Sequence, residues 1–302
     1  MNKYQGNIID ISNNKIFPGL IYIEKGVISK ILETNQNYDN YIIPGFIDSH
    51  IHIESSMLTP AEFGRIAVQH GTIAAVCDPH EIANVLGLEG IEYMIKNGRQ
   101  SPLKYYFSAP SCVPATDLET SGAKINAEDI EKLFQDYPEV KFLGEMMNFP
   151  GFIGDDPAVM EKIAVAKKYN KPVDGHSPGV TGAELKKYIG AGITTDHECS
   201  TRKEALEKLQ LGMQILIREG SAAKNFVELI PMAEENSANL AFCSDDKHPD
   251  DLINGHINDL VRRAINEKGL DPLKVLRMAS FNPIRHYELD TGLLREGDPA
   301  DF

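Results

Sequence analysis

His50 and His52 stand one residue apart in the stretch PGFIDSHIHIESS, Pro44 to Ser56. On an extended backbone, side chains at i and i+2 leave on the same side. Two neutral imidazoles converging from one strand end can hold a divalent metal ion, with Asp48 and Glu54 adding negative field beside them. A His-x-His pair is also met as two ordinary core or surface histidines, so the remaining ligands must come from elsewhere in the chain. Acid and imidazole groups recur at Cys77-Asp78-Pro79-His80-Glu81, Gly144-Glu145-Met146, Asp174-Gly175-His176, Thr195-Asp196-His197-Glu198 and Ser244-Asp245-Asp246-Lys247-His248. From these, the set His50, His52, Glu145, His176, His197 and Asp245 has the make-up of a two-metal site. Four imidazoles and two carboxylates suit zinc, iron or manganese, whereas calcium or magnesium favour oxygen throughout. Two such ions sharing a water lower its pKa and give a hydroxide nucleophile at neutral pH.

Elements that can bring these groups together are legible as apolar runs. They span 42–47, 72–77, 103–108, 141–146, 172–175, 192–196, 213–218 and 239–243. Segments with helix formers and apolar spacing near 3.6 lie between or after them, at 60–70, 128–137, 157–169, 183–189, 203–211, 222–235 and 252–268. Eight runs with intervening helices predict an α/β fold, a closed (β/α)8 TIM-like barrel, over residues 43–288. An open doubly wound sheet is the alternative, but no GxGxxG or GxxxxGK turn follows an early strand. In a barrel the reactive groups belong at the carboxyl ends of the strands, and six of the nine histidines fall there. Glu145, from the far side of the barrel, is placed to bridge two ions.

Residues 1–42 predict a small β domain of short antiparallel strands. Leu20–Ile23 and Val27–Leu32 form a hairpin pattern about Glu24-Lys25-Gly26. Residues 289–302, ending GLLREGDPADF, read as the start of a returning β-strand.

The 302 residues carry a formal charge of −14, which repels a nucleic-acid backbone or an anionic membrane. Four scattered cysteines with no CxxC pair, no signal-peptide core and no apolar span of membrane length fit a cytoplasmic protein with reduced thiols.

Several groups have a plain alternative. His70 closes a helix before Gly71 and is structural; His286 packs or lies at the surface; His256 is read as a helix residue without catalytic duty. His80 and Glu81 either support the metals or make ordinary loop hydrogen bonds. Glu54, Ser55 and Ser56 either serve the site or cap the next helix, as Thr59-Pro60 is expected to do. Ser221, in REGSAAK, is either a helix N-cap or part of a helix N-terminus that receives a polar ligand atom.

The runs PGFIDSHIHIESSM, VCDPHEIANVLG, FLGEMMNFPG, DGHSPG, LGMQILIREGSAAKN and CSDDKHPDDL resemble the adenine deaminases of the amidohydrolase superfamily. DPHEIANV and REGSAAKN set that family apart from dihydroorotases, ureases and acetylglucosamine-phosphate deacetylases. The resemblance implies a small β-sandwich built from both chain ends, of which residues 1–42 are the N-terminal part and which is incomplete in this chain, and a binuclear centre of manganese or iron, with zinc possible. In it, His50, His52 and Asp245 bind the first ion and His176 and His197 the second, while Glu145 takes the place of a carboxylated lysine. It implies hydrolytic release of ammonia from adenine, giving hypoxanthine in purine salvage, by a metal-bridging hydroxide with Asp245 as proton shuttle. Glu81 and His80 are further catalytic candidates. Glu54, Ser55, Asp78 and Ser221 are expected to bind substrate or support the site. The expected partners are a small purine and, in a homo-oligomer, copies of the chain. Competing expectations are another amidohydrolase reaction on a cyclic amide or amino-purine, a catalytically impaired truncated form, and a barrel scaffold that has lost its chemistry.

Overall fold

The computed structural model describes residues 2–116 and 118–302. A four-stranded sheet comes first, from β1 (Asn2–Asp10), β2 (Lys15–Glu24), β3 (Val27–Glu33) and β4 (Tyr41–Ile42), in the order β3-β2-β1-β4. The β2–β3 hairpin turns through Lys25 and Gly26 at φ +52° and +78°. Paired positive φ values match the right-handed twist of the two strands. Ile8, Ile21, Ile28 and Ile42 form the small core under this sheet, joined by Leu294. The end of the described chain runs back beside β3: the Ile28 N–H donates to the Asp298 carbonyl and the Ala300 N–H to the Gly26 carbonyl, each at 2.9 Å.

Eight parallel strands follow: β5 (Phe46–Ile51), β6 (Thr72–Cys77), β7 (Lys104–Ala109), β8 (Val140–Met146), β9 (Val173–Gly175), β10 (Thr195–Asp196), β11 (Gln214–Arg218) and β12 (Leu240–Cys243). Continuous ladders join β5 to β9 and β10 to β12. Two narrower seams close the ring. Ile51 bridges Asp245 between β5 and β12, and Val173 bridges Ile193 between β9 and β10. This is an α/β fold of the TIM type, and its strands are buried on both faces, as helix-covered parallel strands must be.

Apolar run and strand coincide at 72–77 and lie within a few residues elsewhere. The largest displacement is at β5, where the strand runs on through Asp48 and His50, both fully buried. Two helices between β6 and β7, His80–Leu86 and Leu88–Gly98, were not foreseen. The second buries Ile91, Met94 and Ile95, an i, i+3, i+4 face. Three expectations are corrected. The helix expected over 222–235 begins only at Phe226, so Ser221 is neither an N-cap nor at a helix N-terminus. The helix expected over 252–268 is broken, with Pro249–Leu252 and Ile257–Asn266 separated by a turn, and His256 lies outside both. Thr59 precedes Pro60 at the start of a helix, but its side chain makes no capping bond; Pro60 opens the helix through its fixed φ.

Candidate metal centre

The carboxyl end of the barrel gathers the six sequence-predicted ligands around one carboxylate. Glu145, at the end of β8, is 2% exposed and turns each oxygen to a different side. Oε1 lies 3.3 Å from His52 Nε2, and Oε2 lies 2.7 Å from His176 Nδ1 and 3.2 Å from His197 Nε2. On the β5 side, His50 Nε2 and His52 Nε2 face one another at 3.1 Å, and Asp245 Oδ1 lies 3.6 and 3.3 Å from them. The groups His50–His52–Asp245 and His50–Glu145–His197 each present ligand atoms within 4.8 Å of one another.

Local structure fixes these directions. His52 Nδ1 lies 2.9 Å from the Asp78 carbonyl, which sets the tautomer with its proton on Nδ1 and leaves Nε2 free to ligate. Asp245 sits just past β12 at φ +53°, a left-handed conformation that Asp tolerates better than most residues. Strain of this kind, about 1–3 kcal/mol, persists where surrounding structure over-determines it. Here the Asp245 N–H donates to the His50 carbonyl at 2.9 Å and its own carbonyl accepts from the His52 N–H at 3.3 Å.

Electrostatics in this cluster call for positive charge between the carboxylates. Burial would raise Glu145, but bonds from His176, His197 and His52 prevail and hold it well below the usual carboxylate range. Burial would likewise lower His197, yet Glu145 raises it to about 9. His50 moves the other way: burial and the neighbouring His197 and His52 hold its pKa well below the ordinary value, keeping it neutral. Two imidazole nitrogens facing at 3.1 Å beside a carboxylate are a suitable donor set for a shared cation. The residues therefore fit one transition ion held by His50, His52 and Asp245 and another held by His176 and His197, with Glu145 reaching both.

The remaining sequence-predicted residues divide. His80 and Glu81 stand at the rim: His80 Nδ1 is 3.5 Å from Glu145 Oε1, His80 Nε2 is 3.3 Å from Glu81 Oε1, and Glu81 Oε1 is 3.5 Å from His52 Nδ1. Burial and the nearby His52 would lower His80, but Asp78 and Glu81 raise it to about 9. The Asp78 carboxylate lies 3.8 Å from His80 Nδ1; its Oδ1 accepts from Ser108 Oγ and its Oδ2 from the Glu145 N–H. Glu54 accepts the Ile82 N–H through Oε1 and leaves Oε2 buried without a partner. Ser55 donates to Asp246 at 2.5 Å. Ser221 donates its hydroxyl to Asp251 and accepts the His248 N–H, and its own N–H donates at 2.8 Å to the carbonyl of Asp246, the residue after Asp245.

Glu198 and Arg218 were missed as site residues. Arg218 Nη1 donates to Glu198 and, at 2.5 Å, to Asp245 Oδ2, so Oδ1 is the oxygen left facing the histidines. Glu198 Oε1 is itself 3.6 Å from His197 Nε2 and 3.8 Å from His176 Nδ1. The sequence signals were the place of each at a strand end and, for Arg218, its position at the head of REGSAAKN.

Residues 41–302 match the Amidohydrolase family. The chain is 57% identical over 298 residues to a protein named adenine deaminase from Sulfurovum sp. (strain NBC37-1), covering 99% of this chain and 56% of the relative. It is 53% identical to another so named from Methanosarcina mazei, covering 100% of this chain and 54% of that one. The chain thus spans about half the length of the curated relatives it matches. Among solved structures, N-acetylglucosamine-6-phosphate deacetylase from Pasteurella multocida superposes with a TM-score of 0.70 at 12% identity, covering 99% of this chain and 94% of that one, a likeness of fold. Among the described residues, no helix is long and apolar enough to cross a membrane.

Proposed function

The chain belongs to the amidohydrolase family, and from that premise we propose that it is the metal-binding barrel of an adenine deaminase, which hydrolyses adenine to hypoxanthine and ammonia in purine salvage. The observation that carries this reading is the 57% identity, over 99% of the chain, to a protein of that name. His50, His52 and Asp245 would hold one ion and His176 and His197 the other, with Glu145 as a further ligand; manganese or iron is the proposed metal, with zinc as the alternative. Bound there, the ions supply Lewis acidity and a water acidic enough to act as a nucleophile at neutral pH.

The residues of the chain handle the protons. Asp245, anchored through Oδ2 by Arg218, keeps Oδ1 toward the reacting water, takes one proton as the oxygen attacks the ring carbon bearing the amino group and passes it to the adjacent ring nitrogen, then carries the second proton from the new hydroxyl to the departing amino nitrogen. The carbon–nitrogen bond breaks and ammonia leaves. His80, protonated at neutral pH, and Glu81 stand where they can hold the purine edge or supply a further proton. Glu54, Ser55 and Asp78 shape and support this mouth. Ser221 supports the site from the loop beside Asp246, which it holds through its N–H. The sheet of residues 1–42 and the segment 289–302 are proposed as one β unit of sandwich type, beside the barrel of residues 43–288. A cytoplasmic homo-oligomer acting on a free base, with no nucleic-acid or membrane partner, completes the proposal; the buried free cysteines and net negative charge agree with it.

The test is ammonia release from adenine by the manganese-loaded intact protein, with hydantoin and dihydroorotate as controls. Turnover of adenine alone supports the proposal. Turnover of the cyclic amides without adenine overturns it in favour of another amidohydrolase reaction.

A further inference from the structure

Each proposed ion draws its histidine and aspartate ligands from the two strands that flank one seam of the barrel. His50, His52 and Asp245 lie at the β5–β12 seam, and His176 and His197 at the β9–β10 seam. Among the described residues each seam has only one bridged pair, so something other than a ladder must hold its register. At both, a fully buried aspartate two residues before the first histidine does so: Asp48 before His50 and Asp174 before His176.

Asp48 lies within hydrogen-bonding reach of four donors. Oδ1 accepts the Ser244 N–H at 3.0 Å and, weakly, the His50 N–H at 3.4 Å; Oδ2 accepts the Ser244 hydroxyl and His256 Nε2–H, the latter at 2.8 Å. One carboxylate therefore ties the backbone of His50 to that of the residue before Asp245. His256 is 1% exposed, and its other nitrogen, Nδ1, is 2.7 Å from Thr72 Oγ1. Its ring is thus oriented from both ends. At the other seam, Asp174 accepts from Thr195 Oγ1 at 2.9 Å and from the Tyr287 hydroxyl at 2.8 and 3.0 Å. Thr195 Oγ1 in turn accepts the Gly175 N–H at 3.2 Å, just before His176.

We infer that the two buried carboxylates are separate clasps, each setting the geometry of one ion: His256 acts through Asp48 on the His50–His52–Asp245 ion, and Tyr287 acts through Asp174 on the His176–His197 ion. His256 and Tyr287 are positioning residues, supplied by segments that follow β12. This inference rests on the two-ion reading of the site. The physical reason is that an unsatisfied buried carboxylate relaxes toward other donors and carries its strand with it. Outer partners of metal ligands typically change affinity by about 10- to 100-fold.

The experiment is a manganese titration of the intact protein followed by EPR of free ion, with anomalous occupancy at limiting manganese identifying the site affected. The unsubstituted protein must bind two ions; binding of fewer defeats the two-ion reading itself, before any variant is compared. His256→Leu is expected to weaken the His50–His52–Asp245 ion at least about 10-fold and leave the other within about twofold; Tyr287→Phe is expected to do the reverse. His256→Gln, whose amide nitrogen reaches the place of Nε2, restores binding to within about threefold. Should His256→Leu fail to fold, Ser244→Ala removes one bond to Asp48 and gives the same one-sided loss in smaller size. Equal weakening of both ions in each variant, or no change in either, overturns the inference.

Discussion

The Glu145 N–H donates to Asp78 Oδ2 at 2.8 Å, although 67 residues separate the two in the chain. Asp78 Oδ1 is occupied by Ser108 Oγ at 2.7 Å, so this buried carboxylate is committed to orienting the strand that carries Glu145. Gly144 makes the contact possible: a Cβ there would sit 2.5 Å from Asp78 Oδ2. Asp78→Ala and Gly144→Ala are both expected to lower metal affinity and adenine turnover by about 10- to 100-fold, read by metal analysis and steady-state kinetics. Wild-type values in both would remove Asp78 from the support of Glu145.

Asp245→Asn preserves side-chain size and tolerates the left-handed backbone at this position. The variant should fold, keep part of its metal and lose turnover by about 100- to 10,000-fold, the usual range for a positioned acid–base group. Wild-type kcat in a metal-loaded Asp245→Asn protein would exclude the proton-shuttle role.

Lys208 is wholly buried; its Nζ donates to the Ser177 carbonyl at 2.7 Å, Asp196 Oδ2 at 3.0 Å and Glu204 Oε1 at 2.8 Å. Asp196 in turn accepts the N–H groups of Ser177 and Glu198, in the loops that carry His176 and His197. Lys208→Met leaves two buried carboxylates without their cation and should cost about 3–5 kcal/mol in urea unfolding. A loss under about 1 kcal/mol would show that other donors satisfy the pair.

Burial, reinforced by Arg285, holds His286 at about 4, against about 6.5 in an unfolded chain. The unfolded state therefore takes up the proton first as pH falls. Stability present above about pH 6.5 is lost between there and about pH 4, by on the order of 1–3 kcal/mol for this group. In His286→Gln the fall in unfolding free energy from pH 7 to pH 4.5, read from urea titrations, should be smaller by that amount. An equal fall in both proteins would locate the acid sensitivity elsewhere.

Much of the barrel was legible because strands buried on both faces appear as unbroken apolar runs, as Thr72–Cys77 does. The displaced β5 shows the limit of that signal: Asp48, Ser49 and His50 are polar in sequence yet fully buried, and the Ser244 and His256 partners that satisfy Asp48 are revealed by no local pattern. The candidate ligands stood out by residue type at the strand ends. Their supports did not, because Asp48 meets His256 across 208 residues and Glu198 meets Arg218 across 20. The helix misplaced at Ser221 had the composition of a helix start, but Ser221 bonds Asp251 and the backbone of His248, while Asn225 immediately precedes the first turn.

The two-ion site is tested most directly by diffraction from the manganese-loaded intact protein on either side of the manganese absorption edge. Two anomalous peaks are expected, one among His50, His52 and Asp245 and one beside His176 and His197, with a Glu145 oxygen on each. A single peak, or peaks held instead by His52, His80 and Glu81, would contradict it.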